Sequence, residues 1–363
     1  MDTTDPDIRF DKFGVCNHCH RYDSLLKKRV FTGAEARMKL DGIVKRIKLV
    51  GKGEKYDSII GVSGGVDSSY VAYLAKKLGL RPLAVHFDNG WNSELAVSNI
   101  EKVLDKLGID LYTKVIDWPT FRDLQMAFLK ASTPDGEIPT DHAINAFLFQ
   151  EANKRRIKYI ISGMNFATES MAVPAWSYGH SDMKYIRAIH RRFGSIKLKG
   201  YPGFSFVNLF WWTVFKRIKV VSLLNYTDYN KEEAMDVLQK ELGWFYYGGK
   251  HYESVYTRFF QGYVLPIKYN IDKRKGHLSD LIRSGQITRQ AAMDILAKPI
   301  YEEKLLKQDK EFVLKKLDLS NEDFNALMTL PNRTYQDYPN SAKAVKVIKL
   351  IVNWLREKGI YSK

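Results

Sequence analysis

The chain has 363 residues, 45% of them hydrophobic and 13% aromatic, with a formal net charge of +16 and two cysteines. That size and apolar content exclude intrinsic disorder and allow one large domain with additions, or two domains. No apolar run reaches the roughly 18 residues of a membrane span, the first residues are polar and acidic, and two cysteines three positions apart exclude a disulfide framework, so a cytoplasmic protein is expected.

Residues 1–53 read as a basic, partly helical leader carrying Cys16 and Cys19, and Gly51-Lys52-Gly53 marks a loop into a domain spanning 54–275. There the periodicity alternates: a strand over 56–63, a helix over 68–78 with Val71, Leu74, Ala75 and Leu78 at helical spacing, a strand over 82–87, a helix over 93–107 and a strand over 110–116. Helices follow over 120–130 and, capped by Pro139 and Thr140, over 141–156, then a strand over 159–162. Residues 166–218 break the rhythm with aromatics, Gly and Arg and read as a long insertion or lid. A strand over 219–224 and a helix over 228–242 come next, and 276–363 is expected to be a helical subdomain punctuated by Pro299, Pro331 and Pro339. The pattern predicts an α/β fold, doubly wound around a mainly parallel sheet.

Residues 61–69 read Gly-Val-Ser-Gly-Gly-Val-Asp-Ser-Ser between the first predicted strand and helix. Ser63, Gly64 and Gly65 would turn sharply, letting backbone N–H groups approach a phosphate, with the free N–H groups of the helix start behind them. Asp67 suits a Mg²⁺ ligand, and the hydroxyls of Ser68 and Ser69 can donate to pyrophosphate oxygens. No Lys follows the glycines, unlike a loop that works on a γ-phosphate, so the pattern suits ATP cleavage between the α and β phosphates. A tight turn that merely uses glycines is the plainer alternative.

Ligands of such sheets bind at the carboxyl ends of the strands, which gives priority to polar strand ends. The second strand ends with His86, Asp88 and Asn89, suited to ribose or adenine, or else forming a plain turn at Gly90. The fourth ends with a close-approach glycine, Gly163, then Asn165 and Glu169; Glu169 could share Mg²⁺ with Asp67, or the segment could be a helix cap. Asp141 and His142 are further substrate-binding candidates or a cap alone. Later come Gly248-Gly249-Lys250-His251-Tyr252-Glu253, then Arg258, then Asp272-Lys273-Arg274. Cleavage builds negative charge on the leaving pyrophosphate, so cations are needed near it; Lys250, Lys273 and Arg274 are the catalytic candidates beside Asp67, and His251, Glu253 and Arg258 the substrate-binding ones. From Met183 to Thr227 there are nine Lys and Arg, no Asp or Glu, and many aromatics, which calls for an anionic partner or a solvated face.

Taken together, the cysteine leader, the SGGVDS loop, HFDNGWNSE, PTDHAI, SGMNFATES, GGKHYES with TRFFQ, and DKRKGHLSDLI with GQITR resemble the N-acetyl sugar amidotransferase family of the WbpG/PseA type, over nearly the whole chain. The resemblance implies ATP-dependent conversion of an acetamido to an acetamidino group on a nucleotide-linked diacetamido sugar, for bacterial surface polysaccharide (lipopolysaccharide O-antigen) or nonulosonate synthesis. It also implies ATP and Mg²⁺, with ammonia from a HisH-like glutaminase and a HisF-like channelling subunit. Family members carry another C-x-x-C upstream; here Cys16 and Cys19 either hold zinc, completed by His18, His20 or residues not present, or are ordinary thiols. The alternative of a different substrate class is a tRNA-modifying thiolase or amidase with the same ATP loop, for which +16 suits an RNA backbone.

Overall fold

Short aliphatic runs alternating with amphipathic segments fold into a five-stranded sheet between two helical layers; the computed structural model describes residues 1–171, 173–249 and 252–347. The leader forms α1 (Asn17–Arg29) and α2 (Gly33–Val50). Then come β1 (Ser58–Gly61), α3 (Val66–Lys77), β2 (Pro82–Asp88), α4 (Glu94–Leu107), β3 (Leu111–Val115), α5 (Trp118–Ala131), α6 (Ile138–Lys154) and β4 (Tyr159–Ser162). Beyond it lie α7 (Phe166–Glu169), α8 (Met183–Phe193), α9 (Phe206–Phe210) running into a π-helical turn at Trp211–Phe215, β5 (Lys219–Ser222) and α10 (Lys231–Leu242). The remainder is helical: α11 (Val255–Phe259), α12 (Leu265–Tyr269), α13 (Arg274–Arg283), α14 (Arg289–Ala297), α15 (Glu303–Leu317) and α16 (Asn321–Thr329).

All strands are parallel, in the order β3-β2-β1-β4-β5, with Ile59 opposite Leu83 and Ile160. The order reverses between β1 and β4, so the chain leaves the sheet on opposite faces there and opens a crevice at their carboxyl ends. Alternation along the strands feeds two cores. Ile59, Leu83, Val85, Phe87 and Ile160 pack on one face with Phe121, Phe128, Phe147 and Tyr185, while Ile60, Ala84 and Ile161 pack on the other with Val71, Ile100, Leu104 and Leu238. Each large side chain fully buried in this way contributes about 1.5–3 kcal/mol of apolar transfer.

Local chemistry sets the helix ends. Ser93, Asp117 and Asn230 accept hydrogen bonds from first-turn N–H groups of α4, α5 and α10, and Gly108 and Gly243 end α4 and α10 in the left-handed region. Helix α6 differs from expectation. It starts at Ile138, placing Pro139 and Thr140 inside its first turn rather than at a cap, because proline tolerates the first turn where no N–H partner is required. Within 166–218, α8 is no loose lid: Tyr185, Ile186 and Ile189 are fully buried in the first core, and His190 and Ser195 bind Asp123 of α5. The C-terminal helices join that same core through Val313, Leu314, Leu317 and Phe324, and Tyr338 donates to the Ala131 carbonyl.

Candidate active site

The turn from β1 into α3 forms the floor of a cleft of about 500 Å³ at the β1–β4 switch point. Gly64 has φ 78°, and a Cβ there would lie 2.4 Å from the Ala96 carbonyl oxygen, so only glycine fits between the turn and α4. The indole of Trp244 donates to the Gly64 carbonyl at 2.8 Å and fixes the turn from the far side. Within it the hydroxyls of Ser63 and Ser68 lie 3.2 Å apart, and Ser63 N–H donates to Ser68 Oγ. A Cβ on Gly163 would come within 3.1 Å of Asp67 C and Ser68 N, so its lack of a side chain lets the end of β4 press against the start of α3.

Asp67 and Glu169 both line this cleft, one from α3 and one from the end of α7. Asp67 Oδ1 accepts a hydrogen bond from the phenol of Tyr229, whose burial and proximity to Asp67 push its pKa far up and keep it a neutral donor. Asp67 and Glu169 bring two carboxylates to the lining of one cleft, and carboxylate oxygens are the donor type that Mg²⁺ takes. Ser63, Gly65, Ser68, His86, Asn89, Asp141, Gly163, Glu253 and Lys273 line the same space.

The strand-end motifs meet through backbone and side-chain bonds. His86 Nδ1 is 2.8 Å from the Val62 carbonyl oxygen and its Nε2 is 2.9 Å from Asn92 Nδ2, so the ring ties β2 to the loop. Asn92 pairs with Ser254 in an isolated bridge, and Ser93 N–H donates to the Glu253 carbonyl, which brings the HFDNGWNSE segment to Glu253 and Ser254 and sets Glu253 on the cleft wall. On another wall Lys273 Nζ is 3.3 Å from Glu137 Oε2, which also accepts from Gln261 at 2.8 Å. Lys273 is thereby aimed inward as a partly buried cation.

Several expected site residues do other work. Asp88 accepts from Gly90 N–H at 2.8 Å and from Asn92, so it holds a turn and does not line the cleft. Ser69 is buried in α3. His142 is fully buried in α6, donating from Nδ1 to the His180 carbonyl at 2.6 Å, accepting Phe204 N–H at 3.1 Å, and stacked on Phe204; both nitrogens serve the backbone rather than substrate. Asn165 caps α7 through Thr168. Arg258 forms a two-pronged ion pair with Asp309, and Arg274 binds Asp272 and the Lys298 carbonyl, because buried carboxylates and helix-end carbonyls claim the guanidinium donors first. Gly64 acts through backbone shape. Lys250 and His251 lie outside the described residues.

The cysteine pair gains no metal geometry. Cys16 and Cys19 Sγ are 3.5 Å apart, His18 binds Asp5 at 2.6 Å, His20 binds Asp11 at 2.9 Å, and burial followed by the Cys16 neighbour raises the Cys19 thiol pKa. Among the described residues no group of three or more His, Cys, Asp and Glu is arranged to hold a metal. Sequence reasoning missed Tyr229, Tyr247, Asn92, Glu137 and Gln261. Tyr247 accepts Val66 N–H at 3.2 Å at the phosphate turn, through a contact spanning 181 positions that no local pattern encodes.

Residues 253–352 match the family described as LPS biosynthesis protein WbpG-like, C-terminal domain, and residues 41–172 match NAD synthase. The first begins at Glu253 on the cleft wall, and the second contains the phosphate turn, Asp67, Gly163 and Glu169. A match to NAD synthase over 41–172 followed by a WbpG-like C-terminal match over 253–352 supports a WbpG-type ATP pyrophosphatase. Other likenesses are partial. The tRNA-specific 2-thiouridylase MnmA of Hahella chejuensis is 45% identical over 64 residues, 15% of this chain, which spans only 17% of that protein's length. NMN synthetase from Francisella tularensis shares 18% identity with a TM-score of 0.32, covering 58% of this chain and 87% of the other. A structure described as a predicted subunit of tRNA methyltransferase from Methanocaldococcus jannaschii shares 13% identity with a TM-score of 0.29, covering 50% and 75%.

Proposed function

We propose that this protein is the ATP-using synthetase of an amidotransferase that converts an acetamido group of a nucleotide-linked diacetamido sugar to acetamidino, for bacterial surface polysaccharide or nonulosonate synthesis. The observation that carries the reading is the meeting of the Ser63–Ser68 turn, Asp67, Glu169 and Lys273 in one cleft at the switch point, in a chain that matches the WbpG-like C-terminal domain over 253–352. Backbone N–H groups at the start of α3 and the hydroxyls of Ser63 and Ser68 would hold the phosphates in line. Asp67 and Glu169 would hold Mg²⁺, which when bound neutralises charge on the phosphates. Lys273, steadied by Glu137 and Gln261, would face the leaving pyrophosphate or the sugar.

An amide oxygen is a poor leaving group. In the proposed sequence that oxygen attacks the α-phosphorus, the bond to the β-phosphate breaks, pyrophosphate leaves and the amide N–H proton is lost. Ammonia then attacks the imidate carbon, and AMP departs with the former amide oxygen. Neither step needs a protein nucleophile. The ammonia would come from a separate HisH-like glutaminase through a HisF-like subunit. The thiolase alternative is disfavoured by the position of the two cysteines, both in the leader and neither lining the cleft. The test is product analysis with ATP, ammonium and a panel of UDP- and CMP-linked diacetamido sugars. AMP and pyrophosphate formed only with sugar and ammonia present support the reading; ADP and phosphate overturn it.

A further inference from the structure

The segment from α9 through the π-helical turn is a helix turned the wrong way for a core. Val207, Phe210, Trp211, Val214 and Phe215 recur three and four residues apart and all face solvent, the three rings between 48 and 61% exposed. Phe215 packs against Trp211 with ring centroids 4.9 Å apart and against Phe210 at 5.8 Å, which makes one continuous apolar ridge. The ridge is held firmly. Trp212 on the opposite side is buried and stacked on Phe149 at 5.5 Å, and Thr213 Oγ1 donates back to the Leu209 carbonyl.

Cations follow it directly in the chain. Lys216, Arg217 and Lys219 are exposed, Lys216 Nζ lies 5.5 Å from the Trp211 ring, and no Asp or Glu occurs from residue 183 to 227. A rigid ridge of Trp and Phe followed by Lys and Arg has the composition of an interfacial membrane surface, whereas protein interfaces are depleted in lysine. The buried back of this segment faces the cleft wall, because Trp212 stacks on Phe149, which lines the cleft.

We propose that this ridge seats the protein peripherally on an anionic phospholipid bilayer, with the rings at the level of the headgroups and the lysines on lipid phosphates. This does not depend on which sugar or nucleotide the cleft takes. The charge complementarity selects anionic over zwitterionic lipid, and among the described residues no helix is long and apolar enough to cross a membrane.

The experiment is flotation of the full chain with vesicles of phosphatidylcholine alone or with a third phosphatidylglycerol, at low and high salt. Binding is expected to the mixed vesicles at low salt and to weaken with salt. It should fall at least about tenfold for Phe210→Ser with Trp211→Ser and Phe215→Ser. It should fall about fivefold for each cation lost in Lys216→Glu with Arg217→Glu. The charge-reversal pair alters only exposed side chains, so it serves if the aromatic variant fails to fold by thermal melting. Absence of vesicle binding, equal binding to both vesicle types, or binding unchanged in both variants overturns the proposal. So does sedimentation showing that the variants instead split a dimer, or a loss of glutaminase capture without any vesicle binding.

Discussion

The carboxylate of Asp67 accepts its hydrogen bond from Tyr229, 162 positions away, and this bond fixes how the carboxylate faces the cleft. Asp67→Ala is expected to abolish ATP cleavage while leaving the thermal melt nearly unchanged, since it removes a group at a cleft-lining turn and opens no core cavity. Tyr229→Phe keeps the ring and loses only the donor; we expect kcat to drop about tenfold with a smaller change in KM for ATP, read in steady-state kinetics. His142 behaves differently. Burial, only partly offset by its bond to the His180 carbonyl, lowers its pKa from the ordinary 6.5 to about 4. The unfolded chain therefore binds a proton that the folded chain rejects between those values. Stability from this group is complete above about pH 6.5 and is lost as pH falls towards 4, by up to about 3 kcal/mol. Urea unfolding of His142→Gln across that window should show a flatter pH dependence; an unchanged slope would remove His142 as the cause. For Arg258, buried against Asp309, Arg258→Leu should lower stability by about 3–5 kcal/mol because it strands a buried carboxylate. A purely substrate-binding role would instead raise KM at unaltered stability.

At the scale of elements, the β1–α3 turn was legible because its chemistry is local: glycines, hydroxyls and a carboxylate at fixed offsets between a strand and a helix. The alternation of strands and helices and the parallel sheet followed from short aliphatic runs between amphipathic segments, whereas the strand order with its reversal between β1 and β4 came only with the structure. Roles set by long-range partners were not legible. Nothing local distinguishes Arg258, claimed by Asp309, from Lys273, aimed inward by Glu137 and Gln261. Nor does a sequence of aromatics and arginines reveal that α8 is buried against α5 while the α9 ridge is exposed; both read as one basic insertion. The turn itself gives a sharp expectation. Gly64→Ala would force both a left-handed backbone on alanine and a contact of 2.4 Å with the Ala96 carbonyl oxygen, so the turn must move. We expect a loss of about 2–4 kcal/mol in denaturant unfolding together with loss of nucleotide binding, and wild-type behaviour would show that the turn relaxes freely.

For the molecule as a whole, one cleft gathers residues from Gly61 at the end of β1 to Lys273 just before α13, and the two family matches contribute to it from separate parts of the chain. If the proposed function holds, the protein should work with high free ammonium and should use glutamine only after a glutaminase partner is added. At neutral pH most free ammonia is the non-nucleophilic ammonium ion, so delivery along a protected route is the faster supply. Sustained turnover of the purified chain on glutamine alone would contradict the separate-subunit arrangement. The central claim is that the cleft activates an acetamido oxygen by transferring AMP to it, and following that oxygen tests it most directly. A nucleotide diacetamido sugar labelled with oxygen-18 in its acetamido carbonyl, incubated with the protein, ATP and ammonium, should yield acetamidino sugar and AMP carrying the label in its phosphate. Unlabelled AMP alongside amidinated product, or label appearing in inorganic phosphate with release of ADP, would contradict the account.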